Sequence, residues 1–283
     1  MKLRITTLSE NTAGRGGLLA EWGLSILIET ESANVLLDTG TSISTTYNAD
    51  TMGIDLGEID KIVLSHGHAD HTGGLREVLR RVRKREIEII AHPHVWANRF
   101  MRRQGRADRF SGIPFQKQEL ENFGARFNLT REPVKITENI MTTGEVPMVT
   151  DFEEIVSPSE ISRLIEEDGE LKTDDILDDQ AIVVNTEQGL VVVTGCAHRG
   201  IINTIYHAQR ISGIQIVQAV IGGSHLIDSS EERIWLTIAA LKELDVQRLG
   251  LSHCTGLPAS VIIAQEFGDK FFFNNTGTRI DLP

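Results

Sequence analysis

Six consecutive residues, His66-Gly67-His68-Ala69-Asp70-His71, constrain this chain more than any others. They place four candidate ligands directly after residues 61–65 (KIVLS), an apolar, β-branched run that reads as a strand. Gly67 and Ala69 are small, so the loop can fold with several side chains converging. Imidazole and carboxylate together are borderline ligands suited to zinc, iron or manganese. His68 and Asp70 keep a period of two from His66, whereas His71 breaks it. One loop can therefore present two ligand sets to two neighbouring metals. Stacking this many imidazoles beside a carboxylate has little structural use without a cation, so a solvated His-rich loop is the weaker account.

Three further histidines end strand-like runs. His198 follows residues 191–195, His225 follows 214–223 and His253 follows 246–252. Sites in α/β proteins gather at strand C-termini, so a shared site accounts for all four positions. The remaining strand candidates are 2–8, 24–29, 35–38, 87–91, 134–137, 181–185 and 270–274. Helical spacing of apolar residues predicts helices over 75–85, 201–211 and 231–244, the last opened by Ser229 and Glu232 in capping-box spacing. Pro258 opens a fourth helix, which Gly268 ends.

An internal repeat organises these elements. SILIET and VLLDTG (25–30 and 35–40) resemble AIVVNT and LVVVTG (181–186 and 190–195), and KIVLSH (61–66) resembles RLGLSH (248–253). Two similar halves predict two similar sheets packed together with helices outside. Residues 92–180 do not fit the repeat and read as an insertion, partly loop, that folds over one end like a lid. The whole chain, 1–283, is then one domain. At 283 residues it buries about three quarters of its extended surface without disulfides.

Charge limits the partners. The net charge of −12 argues against non-specific nucleic-acid binding, which needs positive surface. Yet residues 76–109 hold eleven Arg or Lys against four Asp or Glu. Beside a site, that stretch reads as an anion-attracting rim, with Arg99, Arg102, Arg103 and Arg106 as candidate substrate contacts. Residues 151–187 hold thirteen acidic and two basic residues and read as solvated faces and loops. Only Cys196 and Cys254 occur, which suits a reducing cytoplasm. Each stands beside a ligand histidine and reads first as a small buried hydrophobe, otherwise as a softer ligand. The first twelve residues lack the apolar core of a signal peptide, and no apolar run reaches the roughly 20 residues that span a bilayer. A cytoplasmic protein away from membranes is expected, with its oligomeric state open.

The motifs taken together resemble the metallo-β-lactamase superfamily. HGHADH is similar to its HxHxDH signature, LLDTG (36–40) to the hairpin before it, and TGCAH and SHCTG to its later histidine motifs. The resemblance implies an αββα sandwich. It implies one metal on His66, His68 and His198, another on Asp70, His71 and His253, and Asp38 orienting the ligand loop. One or two divalent ions are implied, zinc before iron, manganese or magnesium. Where members carry a metal-bridging aspartate, this chain reads Val220-Ile221-Gly222-Gly223-Ser224-His225, with no carboxylate. His225 is then either a ligand or a proton donor, and joins Asp70 as a candidate catalytic residue. TGCAH, GGSHL, HCTG and GEVPMVTDFE (from Gly144) resemble a subgroup that includes the archaeal dihydropterin–ribofuranosylaminobenzene phosphate synthase of methanopterin biosynthesis. The resemblance implies a metal-dependent hydrolase, and the basic stretch 76–109 favours an anionic, phosphorylated small molecule as its substrate. The alternatives are a pterin-type transferase, joining a dihydropterin diphosphate to a ribofuranosylaminobenzene phosphate, and an iron-dependent oxygenase or redox protein. A binding protein with a retired site is opposed by the intact HGHADH.

Overall fold

Alternation within short strands decides the layering. In the strand Asn34–Leu37, Val35 and Leu37 face one way and Leu36 the other. In Ile87–Ala91, Ile90 opposes Ile89 and Ala91 in the same manner. The Val35, Leu37 and Ile90 face meets Ile182, Val184, Val191, Val193, Ala219 and Ile221 of a second sheet. The Leu36 and Ile89 face packs instead on Leu75, Val78, Leu79 and Val82, the apolar stripe of the helix Leu75–Val82. On the far side, Val220, Leu249 and Leu251 of the second sheet meet the helices Ile201–Ser212, Glu231–Glu243 and Leu257–Phe267. The result is helix, sheet, sheet, helix: the αββα sandwich. Fully burying an aliphatic side chain contributes about 1.5–3 kcal/mol, so strands buried on both faces carry much of the stability.

This computed structural model describes residues 2–82, 84, 86–153 and 161–283. The first sheet has seven strands, in the order Arg279–Leu282, Leu3–Ser9, Ser25–Thr30, Asn34–Leu37, Lys61–Val63, Ile87–Ala91 and Ala125–Leu129. The second has six, in the order Phe271–Phe273, Arg248–Ser252, Val217–Gly223, Gly189–Thr194, Ala181–Thr186 and Ile140–Thr142. Each sheet contains an antiparallel hairpin and continues into parallel strands. The hairpins are the repeated segments. The second repeated pair is displaced by one strand. Lys61–Val63 lies next to its hairpin, but Arg248–Ser252 lies one strand farther out, beyond Val217–Gly223.

The segment 92–180 is more integrated than an insertion over one end. Ala125–Leu129 extends the first sheet and Ile140–Thr142 the second. Arg99–Arg103, Arg109–Phe110, Ile161–Glu167 and Glu170–Thr173 form a separate four-stranded sheet. RFMRR and ELKT lack the apolar alternation that marks a strand, because this small sheet is largely solvated. Residues 134–137 make only an isolated bridge at Lys135, opposite Met141. Residues 154–160 of the segment, and Arg83 and Arg85 at the end of the helix expected over 75–85, lie outside the described residues. The cap of Glu231–Glu243 is Ser230, one residue later than expected, accepting the Arg233 amide at 3.2 Å. Among the described residues no helix is long and apolar enough to cross a membrane.

Ile26 lies fully buried between the two sheets, whereas Ile216 is 63% exposed. Ile26→Ala is expected to cost about 2–5 kcal/mol in denaturant unfolding. Ile216→Ala should stay within about 0.5 kcal/mol.

Candidate metal centre

The strand Lys61–Val63 delivers the ligand loop to the edge where both sheets end. Ser65 follows, and its amide and hydroxyl both donate to Asp38, at 2.7 Å to Oδ1 and 2.6 Å to Oδ2. Ser65 Oγ also stands 2.9 Å from His66 Nδ1. At Gly67 a Cβ would lie 2.2 Å from the Val95 carbonyl oxygen and 2.4 Å from Arg99 Nη1, so only glycine fits. The Gly67 amide donates to Asp178 Oδ2 at 2.8 Å. His68 then caps the short helix Ala69–Thr72, which carries Asp70 and His71.

Imidazoles from the second sheet complete the cluster. Nitrogens of His66, His68 and His198 lie within 4.8 Å of one another, as do the ligand atoms of Asp70, His71 and His253. His66 Nε2 is 2.9 Å from His68 Nδ1, and His71 Nε2 is 3.2 Å from His253 Nε2. The inner Nε2 atoms of His71 and His253 are each aimed by a partner on the other side of the ring. Asp38 Oδ2 lies 2.6 Å from His71 Nδ1, and Asn11 Oδ1 lies 2.9 Å from His253 Nδ1. The Trp22 indole donates to Asp70 Oδ2 at 3.1 Å. Fixing a ligand histidine through its far nitrogen is how proteins set its tautomer toward a metal.

The chemistry of this donor set fits metal ions. Burial, then the nearby charges of His71, Arg99 and His225 respectively, holds His66, His68 and His198 well below the ordinary imidazole range. They are neutral, the form that offers a lone pair. Burial works against a proton on His71 too, but Asp38 and Asp70 prevail and push it up to about 9. Two carboxylates thus favour positive charge at that spot. Among the described residues His198 Nε2 is buried without a hydrogen-bond partner, as are both ring nitrogens of His225. Left-handed backbone at the non-glycine residues Asp38, Ala197, His225 and His253 adds strain of about 1–3 kcal/mol each, concentrated here.

A family profile described as the metallo-beta-lactamase superfamily matches residues 23–209. The chain belongs to that superfamily. It is 36% identical to a 7,8-dihydropterin-6-methyl-4-(beta-D-ribofuranosyl)-aminobenzene-5'-phosphate synthase of Methanocaldococcus jannaschii, over 95% of this chain and 93% of that protein. Among solved structures it is similar to Tm1679, a metal-dependent hydrolase of the beta-lactamase superfamily. That likeness has a TM-score of 0.82 and 28% identity, covering 99% of both chains. The fold also matches YhfI from Bacillus subtilis, with a TM-score of 0.60 at 12% identity over 99% of both chains.

Not every residue expected at this metallo-beta-lactamase-type site lies where the sequence suggested. His66, His68, Asp70, His71, His198 and His253 converge, Asp38 lies behind them, and the His225 ring packs 4.0 Å from that of His198. Arg99 does not face solvent. It is 1% exposed and ion-paired to Asp174 at 2.7 Å and Asp178 at 2.6 Å. Buried and held by two carboxylates, it braces the loop beneath Gly67. Arg102 is half-exposed and paired with Asp108, Arg103 is exposed on the same small sheet, and Arg106 is exposed in the turn that follows.

The acidic stretch also departs from a solvated face. Asp174, Asp178 and Asp179 are buried, and Asp179 Oδ2 accepts the Arg199 amide at 3.0 Å. Burial pushes Asp178 up to about 6 and Asp179 to about 7. Sequence reasoning also passed over Arg163. It is mostly buried on the strand Ile161–Glu167, and its charge helps lower His68, His198 and His225. Its only signal was its place as one of two cations in an acidic run. His68→Ala is expected to lower bound metal, measured by elemental mass spectrometry, while circular dichroism shows the fold intact. Full metal occupancy in that variant would contradict the assignment of His68.

Proposed function

We propose that the chain is a metal-dependent hydrolase of an anionic, phosphorylated small molecule. The observation that carries this reading is the pairing of buried His/Asp donor sets with Arg163. Its charge reaches His68, His198 and His225, and among the described residues it makes a long 3.9 Å ion pair to Asp228. Divalent metal, zinc first, held by His66, His68 and His198 and by Asp70, His71 and His253, would supply Lewis acidity toward a phosphoryl oxygen and toward water. The chain's own residues do the rest. Arg163 offers a planar fork of donors matched to phosphate oxygens. Asp38 and Asn11 keep His71 and His253 turned inward. Trp22, 53% exposed and 5.5 Å from the His253 ring, steadies Asp70 and presents a flat apolar face at the rim.

The near full-length likeness to the dihydropterin–aminobenzene phosphate synthase supports a second reading. There a diphosphate leaves from a dihydropterin, and a ribofuranosylaminobenzene phosphate replaces water as acceptor. The metal-loaded protein would be incubated with a nitrophenyl phosphodiester, and with a dihydropterin diphosphate in the presence and absence of the aminobenzene acceptor. Hydrolysis without acceptor supports the first reading; turnover only with acceptor supports the second.

Arg163→Ala should raise KM for the phosphorylated substrate roughly tenfold or more, the worth of one charge-assisted hydrogen bond, with a smaller change in kcat. An equal loss on an uncharged ester would overturn the phosphate-binding role of Arg163.

A further inference from the structure

The six ligands above leave three donors of the same cluster unused. Cys196, His225 and Cys254 come from the ends of three successive strands of the second sheet, Gly189–Thr194, Val217–Gly223 and Arg248–Ser252. Their sulfur and nitrogen atoms lie within 4.8 Å of one another. Both cysteines are free and 3% exposed, and His225 is 8% exposed. The His225 amide donates to Cys254 Sγ at 3.3 Å, which ties two of the segments together. Cys196 Sγ lies 3.1 Å from His71 Nε2, so the group adjoins the His/Asp sets.

Packing alone is a poor account of this group. Both ring nitrogens of His225 are buried with no hydrogen-bond partner among the described residues. A buried polar atom left unpartnered is disfavoured, and an apolar side chain of similar size would avoid that cost. The backbone is strained at the same three places: Ala197, beside Cys196, His225 itself, and His253, beside Cys254, have φ of 52°, 49° and 55°. The neighbouring strand end is shaped to fit, since a Cβ on Gly223 would lie 2.6 Å from Cys254 Sγ and 3.2 Å from Cys196 Cα. Strain, orphaned nitrogens and close approach all converge on two sulfurs and one imidazole.

We propose that Cys196, His225 and Cys254 form a sulfur-bearing cation site, adjoining the His/Asp centre, that takes a thiophilic divalent metal such as zinc. The site goes beyond the hydrolase reading and does not rest on it. It assigns His225 as a ligand. Thiolate and imidazole donors select zinc, cadmium or cobalt over magnesium or manganese, which prefer oxygen. Each thiol that binds releases its proton to solvent, so uptake there liberates protons.

Cobalt(II) provides the test, because thiolate ligation gives an intense near-ultraviolet sulfur-to-cobalt charge-transfer band that imidazole and carboxylate do not. The full-length, reduced protein is titrated with cobalt(II) to saturation. The band is expected in the wild type and should resist excess magnesium. Cys196→Ser and Cys254→Ser should each weaken it, and together abolish it, while the weaker visible bands of cobalt on the His/Asp sets remain. Saturated wild-type protein without the band would overturn the proposal, whatever the variants do. So would a band that survives both substitutions. Neither readout depends on turnover, so an inactive protein still decides the question.

Discussion

A single carboxylate organises the metal centre. Asp38 is wholly buried and left-handed in backbone, and it receives three donors: the Ser65 amide, the Ser65 hydroxyl and His71 Nδ1. A buried carboxylate without partners is strongly disfavoured, so the fold around it depends on those bonds being made. Making them fixes the start of the ligand loop, aims His71 inward and, through the Ser65 hydroxyl, steadies His66. Gly195 closes the arrangement from the other sheet, where a Cβ would collide with Ser65 Oγ at 2.0 Å. The repeated Asp-Thr-Gly and Thr-Gly hairpin ends thus meet at one carboxylate.

The rest of the centre follows the same logic of burial answered by partners. Arg99 is taken out of water, and Asp174 and Asp178 answer it. Asp178 in turn accepts the Gly67 amide, which binds the small sheet of segment 92–180 to the ligand loop. Removing one partner of such a buried pair leaves an uncompensated charge and is strongly destabilising. The segment is therefore part of the support of the site. It contributes Arg163, whose charge reaches His68 and His198.

Much of this was legible in the sequence because the signals are local. HGHADH packs its ligands into one turn, and the hairpin repeats alternate apolar residues with a period of two, so the ligand loop and the two sheets could be read directly. The strand-end histidines needed only the rule that sites gather where parallel strands end. What stayed hidden was set by distant partners. Nothing in RFMRR distinguishes Arg99, which finds two buried aspartates some 75 and 79 residues away, from Arg102, which pairs locally with Asp108. The run around Asp174 to Asp179 reads as solvated because sequence shows charge and not burial. The KIVLSH and RLGLSH likeness is real in letters, yet those strands occupy different places in their sheets, because local similarity does not fix strand order.

The account rests on Asp38 arranging the ligands, and metal affinity reports on it most directly. Competition with a chromophoric chelator would compare the wild type with Asp38→Asn, which keeps the shape but turns an acceptor into a donor facing Ser65 or His71. The account predicts that metal affinity falls about 10–100-fold, as expected when the partner of a ligand histidine is lost. Wild-type affinity in Asp38→Asn would contradict it.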